Sequence, residues 1–416
     1  MSKVNRGLVA VVVGLVAAGC GGGGGGTPDP VVPPPATTYA ISGAVSGAVA
    51  AGVSIALGGA QSATATSGSG GAFSFTGLAN GSYTVTPTHI GHVFTPTSAP
   101  VVVAGGNQLA VNFVAATPAG TWMTKASMPT ARSGLASAVV GGNIYAMGGS
   151  NYAINTTNGW LPTVEVYVPS TDTWTARASM PTPRTDLSAA AVNGVIFAAG
   201  GDNAVTCGSC NGFNPLATVE AYTVATSSWS ARAPMLTARE RFATSAVNGM
   251  VYAMGGLVAD TSVTPVWVKP TATVEASDPV ANTWTARAAM PTARSNLRAA
   301  AVNGLIYAIG GDGASLGLLT VEAYDPVANT WTTRASLPAG NPISSADAVN
   351  GLIYAIRDYG EADVYDPATN AWVVRSSMYQ SFYAWSRATA VVGATIYTMG
   401  GRDSFGALPD VEAITP

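Results

Sequence analysis

The chain has 416 residues, a formal net charge of −3 and only 9% charged residues, against about 25% in ordinary soluble domains. That balance offers no basic surface for nucleic acid and no acidic tail for basic partners. The length allows two or three domains.

The first residues read as an address. Lys3 and Arg6 precede an apolar run, Leu8–Ala18, which is short for a bilayer span. Its end, Ala17-Ala18-Gly19-Cys20, resembles a bacterial lipoprotein signal. The resemblance implies cleavage before Cys20, lipidation of that cysteine, and a place on the bacterial cell envelope, in the outer membrane or at the cell surface. Lipoproteins prefer Leu where this chain has Ala17, so an ordinary signal peptide cut near Ala18 stays open. On the first reading, residues 1–19 are the signal peptide and 20–37 a tether, in which Gly21–Gly26 is flexible and Pro28–Pro35 stiffer.

Residues 38–116 then read as short alternating strands between Gly and Asn turns: Tyr39–Val45, Val53–Leu57, Ala72–Phe75, Ser82–Thr86, Val101–Val103 and Leu109–Val114. No charged side chain occurs between Asp29 and Lys125. The segments Gly71-Ala72-Phe73-Ser74-Phe75, Gly81-Ser82-Tyr83-Thr84-Val85 and Phe94-Thr95-Pro96 resemble the carboxypeptidase-regulatory-like domain. That resemblance implies a small β-sandwich with a carbohydrate-binding-like fold, more often a spacer than a binder. His89 and His92 are the chain's two histidines. No Cys, Asp or Glu lies near them in sequence to complete a metal site, so a solvated loop pair is the simpler reading.

From residue 119 to 416 one unit repeats. Diglycines stand at Gly148-Gly149, Gly200-Gly201, Gly255-Gly256, Gly310-Gly311 and Gly400-Gly401, and tryptophans at Trp122, Trp174, Trp229, Trp284, Trp331 and Trp372. Each unit holds two apolar runs across a tight turn such as Asn303-Gly304, a third run after the diglycine, and a fourth opened by Trp. The order and period of these landmarks resemble the kelch family of β-propellers. Val411–Ile414 forms a third strand with no fourth behind it, while the segment around Trp122 is a fourth strand with no third. Pairing them predicts an all-β chain whose second domain is a six-bladed ring, closed without exposed sheet edges. Unit five departs from the pattern, with Arg357-Asp358 in place of the diglycine.

Kelch propellers include copper-radical sugar oxidases, sialic acid mutarotases and pure binding modules. Copper chemistry wants imidazole ligands, and residues 119–416 contain no histidine. The same lack removes nucleophilic triads built on a histidine base. No catalytic residue, cofactor or metal is therefore expected. A sugar mutarotase or isomerase using carboxylate and Arg groups in the central pocket remains as the alternative. Cys207-Gly208-Ser209-Cys210 suits a local disulfide in an oxidising envelope.

Two sets of charges recur once per unit: Arg132, Arg184, Arg239, Arg294 and Arg387, with Glu165, Glu220, Glu275, Glu322 and Glu412. Something required in every unit reads as structural, in buried or half-buried pairs. A further basic set, Lys125, Arg177, Arg232, Arg287, Arg334 and Arg375, follows the tryptophans and is expected on the solvated outer flanks. Residues that break the repeat are the candidate ligand contacts. The aromatic ones are Trp160, Trp267 and Trp385, with Tyr152, Phe213, Tyr379, Phe382 and Tyr383 in the same loops. The polar ones are Asp202, Asn203, Glu240, Arg241, Asp312, Arg357, Asp358, Arg402 and Asp403. They predict a non-enzymatic envelope protein that binds a carbohydrate or protein partner on one loop face.

Overall fold

In the computed structural model of the chain, the described residues are 37–89, 92–116, 120, 122–151, 159–203, 213–263, 267–313, 317–338, 343–357, 361–375 and 386–416. Every regular element among them is a β-strand.

Period-two alternation builds the N-terminal sandwich. In one sheet Tyr39–Gly47 lies between Ala72–Leu78, antiparallel, and Phe113–Ala116, parallel, with Val93–Thr95 outside. The other sheet runs Ala63–Thr66, Ser54–Gly59, Gly81–Thr88, Ala99–Val103. Alternate residues of these strands (Ile41, Val45, Ile55, Leu57, Phe73, Phe75, Tyr83 and Val85) close one core between the sheets. The final strand differs from expectation. Ala110 adopts a positive φ of 62° and Leu109 stays exposed, so a single bridge from Gln108 to Ile41 is interrupted and the regular strand starts at Phe113 rather than Leu109. Ala63–Thr66 and Val93–Thr95 carried no clear signal, the first lacking a large apolar residue and the second only three residues long.

The second domain consists of six four-stranded antiparallel sheets, blades one to six. Their innermost strands are Ala136–Val140, Ser188–Val192, Ala243–Val247, Arg298–Val302, Ile343–Val349 and Ala388–Val392, and each touches the next around a ring, the sixth meeting the first. The ring closes as the sequence predicts. Met123–Lys125 pairs with Val411–Ile414, Val411 opposite Lys125 and Ala413 opposite Met123, as the fourth strand of blade six.

Three local devices hold the blades together. Asn193-Gly194, Asn248-Gly249, Asn303-Gly304 and Asn350-Gly351 all take paired positive φ angles, the turn that links innermost and second strands. Each diglycine also needs its glycines. At Gly148-Gly149 both φ angles are positive, a Cβ on Gly148 would lie 2.8 Å from the Arg184 carbonyl oxygen, and the Gly149 N–H donates to that oxygen at 3.0 Å. Finally, five of the six repeat tryptophans anchor the preceding blade. Trp174, Trp229, Trp284, Trp331 and Trp372 donate Nε1–H to the carbonyls of Ala126, Ala178, Ala233, Ala288 and Ala335, at 2.8–3.0 Å. Tyrosines pack alongside them, with the Tyr324 and Trp331 rings 5.0 Å apart and Tyr324 contacting Tyr252 of the previous blade at 5.9 Å.

Candidate ligand-binding face

The loops after the second strands and those before the innermost strands share one face of the disc. Single bridges tie them together, Ser133 to Ser150, Thr185 to Asp202, Glu240 to Leu257 and Ser295 to Asp312. At the centre of this face the backbone forms a circular stair. Ser386, Gly134, Asp186, Arg241 and Asn296 all have φ between 51° and 62°. The Gly134 N–H donates to the Ser386 carbonyl, Asp186 to Gly134, Arg241 to Asp186 and Asn296 to Arg241, at 2.8–3.1 Å. Four chemically different side chains are thereby held around the channel mouth at equivalent positions.

The repeated charges are consumed inside the blades. Arg132–Glu165, Arg184–Glu220, Arg239–Glu275, Arg294–Glu322 and Arg387–Glu412 are ion pairs of 2.8, 2.9, 2.5, 2.6 and 3.3 Å, all buried. Arg132 also donates to the carbonyls of Thr163 and Ala146, while Thr130 donates to the second carboxylate oxygen of Glu165. Burial lowers the Arg132 guanidinium to about 10, still protonated at neutral pH. These groups are cross-braces, and a ligand cannot reach them.

Arg357 requires a correction. It does not present itself on the loop face; it is buried against Asp363, which occupies the Glu position of blade five. The reason is local. Blade five has Asn341 rather than Arg in the segment before its innermost strand, so the guanidinium comes from the first diglycine position instead. Blade six also departs from the repeat. Arg387 lies immediately before its strand, whereas Arg132 lies four residues before Ala136. Of the outer basic set, Arg177 is exposed, while Lys125, Arg232, Arg287 and Arg334 are half-buried on the outer flanks.

Other flagged residues spread out by depth. Glu240 is fully buried, and neither of its carboxylate oxygens has a hydrogen-bond partner among the described residues. Burial pushes it up to about 8, with Asp186 and Asp202 adding and Arg241 opposing. Asp202 is buried and accepts the Asn214 N–H at 2.9 Å, while Asn203 accepts the Asn214 side-chain amide at 2.8 Å. Asp312 accepts from Asn296 at 2.8 Å and from the Gly317 N–H at 2.9 Å. Asp403 accepts the N–H groups of Phe405 and Gly406 within its own turn. Arg241 reaches solvent, forming a 3.2 Å ion pair with Asp186 in which the side chains are 39% and 21% exposed. Arg402 is exposed, and Trp160 and Phe213 are half-buried. Trp267 is 53% exposed near the tip of an extra hairpin, Leu257–Asp260 with Trp267–Pro270, that blade three raises from its loop. Tyr152, Cys207, Cys210, Asp358, Tyr379, Phe382, Tyr383 and Trp385 lie outside the described residues, as does Cys20.

Two groups of residues escaped the sequence reading. Phe405, in the corresponding loop of blade six, is 96% exposed. Beneath the mouth, a cavity of about 180 Å³ runs between the innermost strands, bordered by Ser137, Ser188, Thr244, Arg298, Asp347 and Thr389 among others. Arg298 and Asp347 are the two charged residues on the innermost strands. Asp347 accepts from the Thr389 hydroxyl at 3.1 Å, and burial raises it to about 6 against the pull of its hydroxyl partners and Arg298. Their signal was available, because an Arg or Asp inside an Ala/Ser/Val strand breaks the repeat.

This architecture is that of a closed six-bladed β-propeller preceded by a β-sandwich. The blades carry kelch motifs, which match at residues 131–181, 183–236 and 293–338. Residues 37–115 match the second β-sandwich domain of NOMO1-like subunits of the BOS complex, in line with the expected carboxypeptidase-regulatory-like fold. Kelch-like protein 25 of Xenopus tropicalis is 31% identical over 138 residues, covering 32% of this chain and 22% of that protein, so the chain spans only a small part of that relative's length. A solved structure of YjhT superposes with a TM-score of 0.56 at 15% identity, over 68% of this chain and 95% of YjhT, a likeness of fold.

Proposed function

We propose that the propeller binds a carbohydrate through this loop face, on a protein held at the cell envelope by lipid on Cys20. The observation that carries the reading is a polar centre inside an aromatic rim. The centre offers Asp186, Arg241 and Asn296 at the mouth of a hydroxyl-lined cavity, while the rim offers Trp267 and Phe405 on blades three and six, opposite each other in the ring. Protein interfaces are built the other way round, with an apolar core and a polar rim. Hydroxyl groups suit the centre, and the apolar faces of sugar rings suit exposed indole and phenyl groups. At about 180 Å³ the cavity lies below the usual range for sites that engulf a ligand, so it favours a terminal residue dipping into the mouth.

The test is a glycan array followed by titration of the strongest hit. Arg241→Ala and Trp267→Ala are each expected to weaken binding at least tenfold, with the unfolding transition unchanged. An array without hits, or hits indifferent to both substitutions, would count against the reading. A protein that binds the same face would point to the other partner class. A second reading, acid–base catalysis on a saccharide, draws on Asp347, a single carboxylate rather than a pair, whose value of about 6 suits proton transfer near neutrality. Mutarotation lost in Asp347→Asn with sugar affinity kept would support it.

A further inference from the structure

The two histidines do not splay into solvent as a loop pair would. His89 follows the strand Gly81–Thr88 and His92 precedes Val93–Thr95, and the His92 N–H donates back to the His89 carbonyl at 3.2 Å. The two Nδ1 atoms lie 3.0 Å apart, with ring centroids 4.9 Å apart and planes at 71°. Both rings are half-buried.

We infer that this pair of imidazoles is a chelating site for a late divalent transition-metal ion, copper(II) foremost and nickel(II) next. Two ring nitrogens at about 2.0–2.1 Å from one ion are about 2.8–3.0 Å apart on adjacent corners of a square, and about 3.3–3.4 Å apart on a tetrahedron. The observed 3.0 Å, the length of the hydrogen bond between the two rings, lies at the upper end of the square-planar span. Square-planar nitrogen and oxygen sites belong to copper(II) and nickel(II), and copper(II) stands highest in the affinity order. Among the described residues no three of His, Cys, Asp or Glu gather, so water or backbone oxygen completes the square. The charge environment is simple. Neither Asp, Glu, Lys nor Arg occurs between Asp29 and Lys125. The ion replaces the proton that the two Nδ1 atoms otherwise share.

The experiment titrates the full chain, with all three cysteines replaced by Ser, with copper(II) alone and separately with nickel(II). We expect one copper per chain, an electron paramagnetic resonance spectrum with coupling to two nitrogens, and at least tenfold weaker binding in His89→Ala or His92→Ala. Circular dichroism of each variant checks that the sandwich stays folded. Absence of bound copper, or the same two-nitrogen spectrum when His89→Ala and His92→Ala are combined, would overturn the inference.

Discussion

Blades one to four and blades five and six meet the same demand with different residues. In the first group an arginine in the segment before the innermost strand reaches a third-strand glutamate, and in each case the segment reads Thr-x-Arg. Blade five takes its guanidinium from Arg357 and shortens the acid to Asp363, while blade six moves the arginine to Arg387. What repeats is a buried ion pair at one place in space, and its sequence source shifts. The pair cross-braces loop, second strand and third strand, so the fold requires its geometry rather than its register.

The largest test of this comparison removes one partner. Arg294→Ala in a regular blade leaves Glu322 buried and unpaired, which costs about 3–5 kcal/mol. Arg357→Ala is expected to cost as much in urea unfolding, because Asp363 is left in the same position. A much smaller loss at Arg357 would show that blade five does not use its brace. The double replacement Arg294→Met with Glu322→Leu should recover most of the loss, since it removes both charges together.

Next comes the acid that has no brace. Glu240 stands where other blades place Ser133, Thr185 and Ser295. Its folded value, about 8, lies above the unfolded value of 4.5, so the native state holds the proton more tightly. Its contribution to stability is complete below 4.5, falls as pH rises, and is gone above about 8, at up to about 1.4 kcal/mol per pH unit. Glu240→Gln should flatten that slope in unfolding measured from pH 5 to 8.

Smaller effects compare single bonds between blades. Trp331→Phe keeps an aromatic ring but loses the donor to Ala288, a loss of about 1 kcal/mol. Blade two offers the reverse. Tyr167, Tyr324 and Tyr365 each donate to a turn residue, Asp172, Asn329 or Asn370, whereas blade two has Ser227 at the equivalent position and the buried Tyr222 hydroxyl has no partner among the described residues. Ser227 already has a φ of 50°, so Ser227→Asn should add about 0.5–1 kcal/mol of stability by thermal unfolding.

Much of this was legible because repetition exposes function by subtraction. Six Trp landmarks and an orphan strand at either end of the repeat gave the blade count and the closing pair, since an open edge would be costly. The role of Arg132 and Glu165 was legible because both recur. Glu240 was harder. A charged residue beside a structural arginine reads as surface, whereas the fold bridges its backbone to Leu257 and buries the carboxylate. Phe405 was missed because a lone aromatic in a short loop carries no period. Spacing alone makes His89 and His92 a solvated pair, because it does not show which way two rings turn.

The clasp has a mechanical consequence. Residues 37–116 join the propeller through a linker that runs directly into Met123, the first residue of the strand that shuts the ring. Three cross-strand pairs hold that strand, helped by the Ala126 N–H donating to Asp172 and the Ala126 carbonyl accepting from Trp174. Tension arriving along the chain from the N-terminal side therefore peels this seam one residue at a time, before any complete blade carries load. The disc would fail under pulling at its fastener, and the five continuous blades behind it would remain intact.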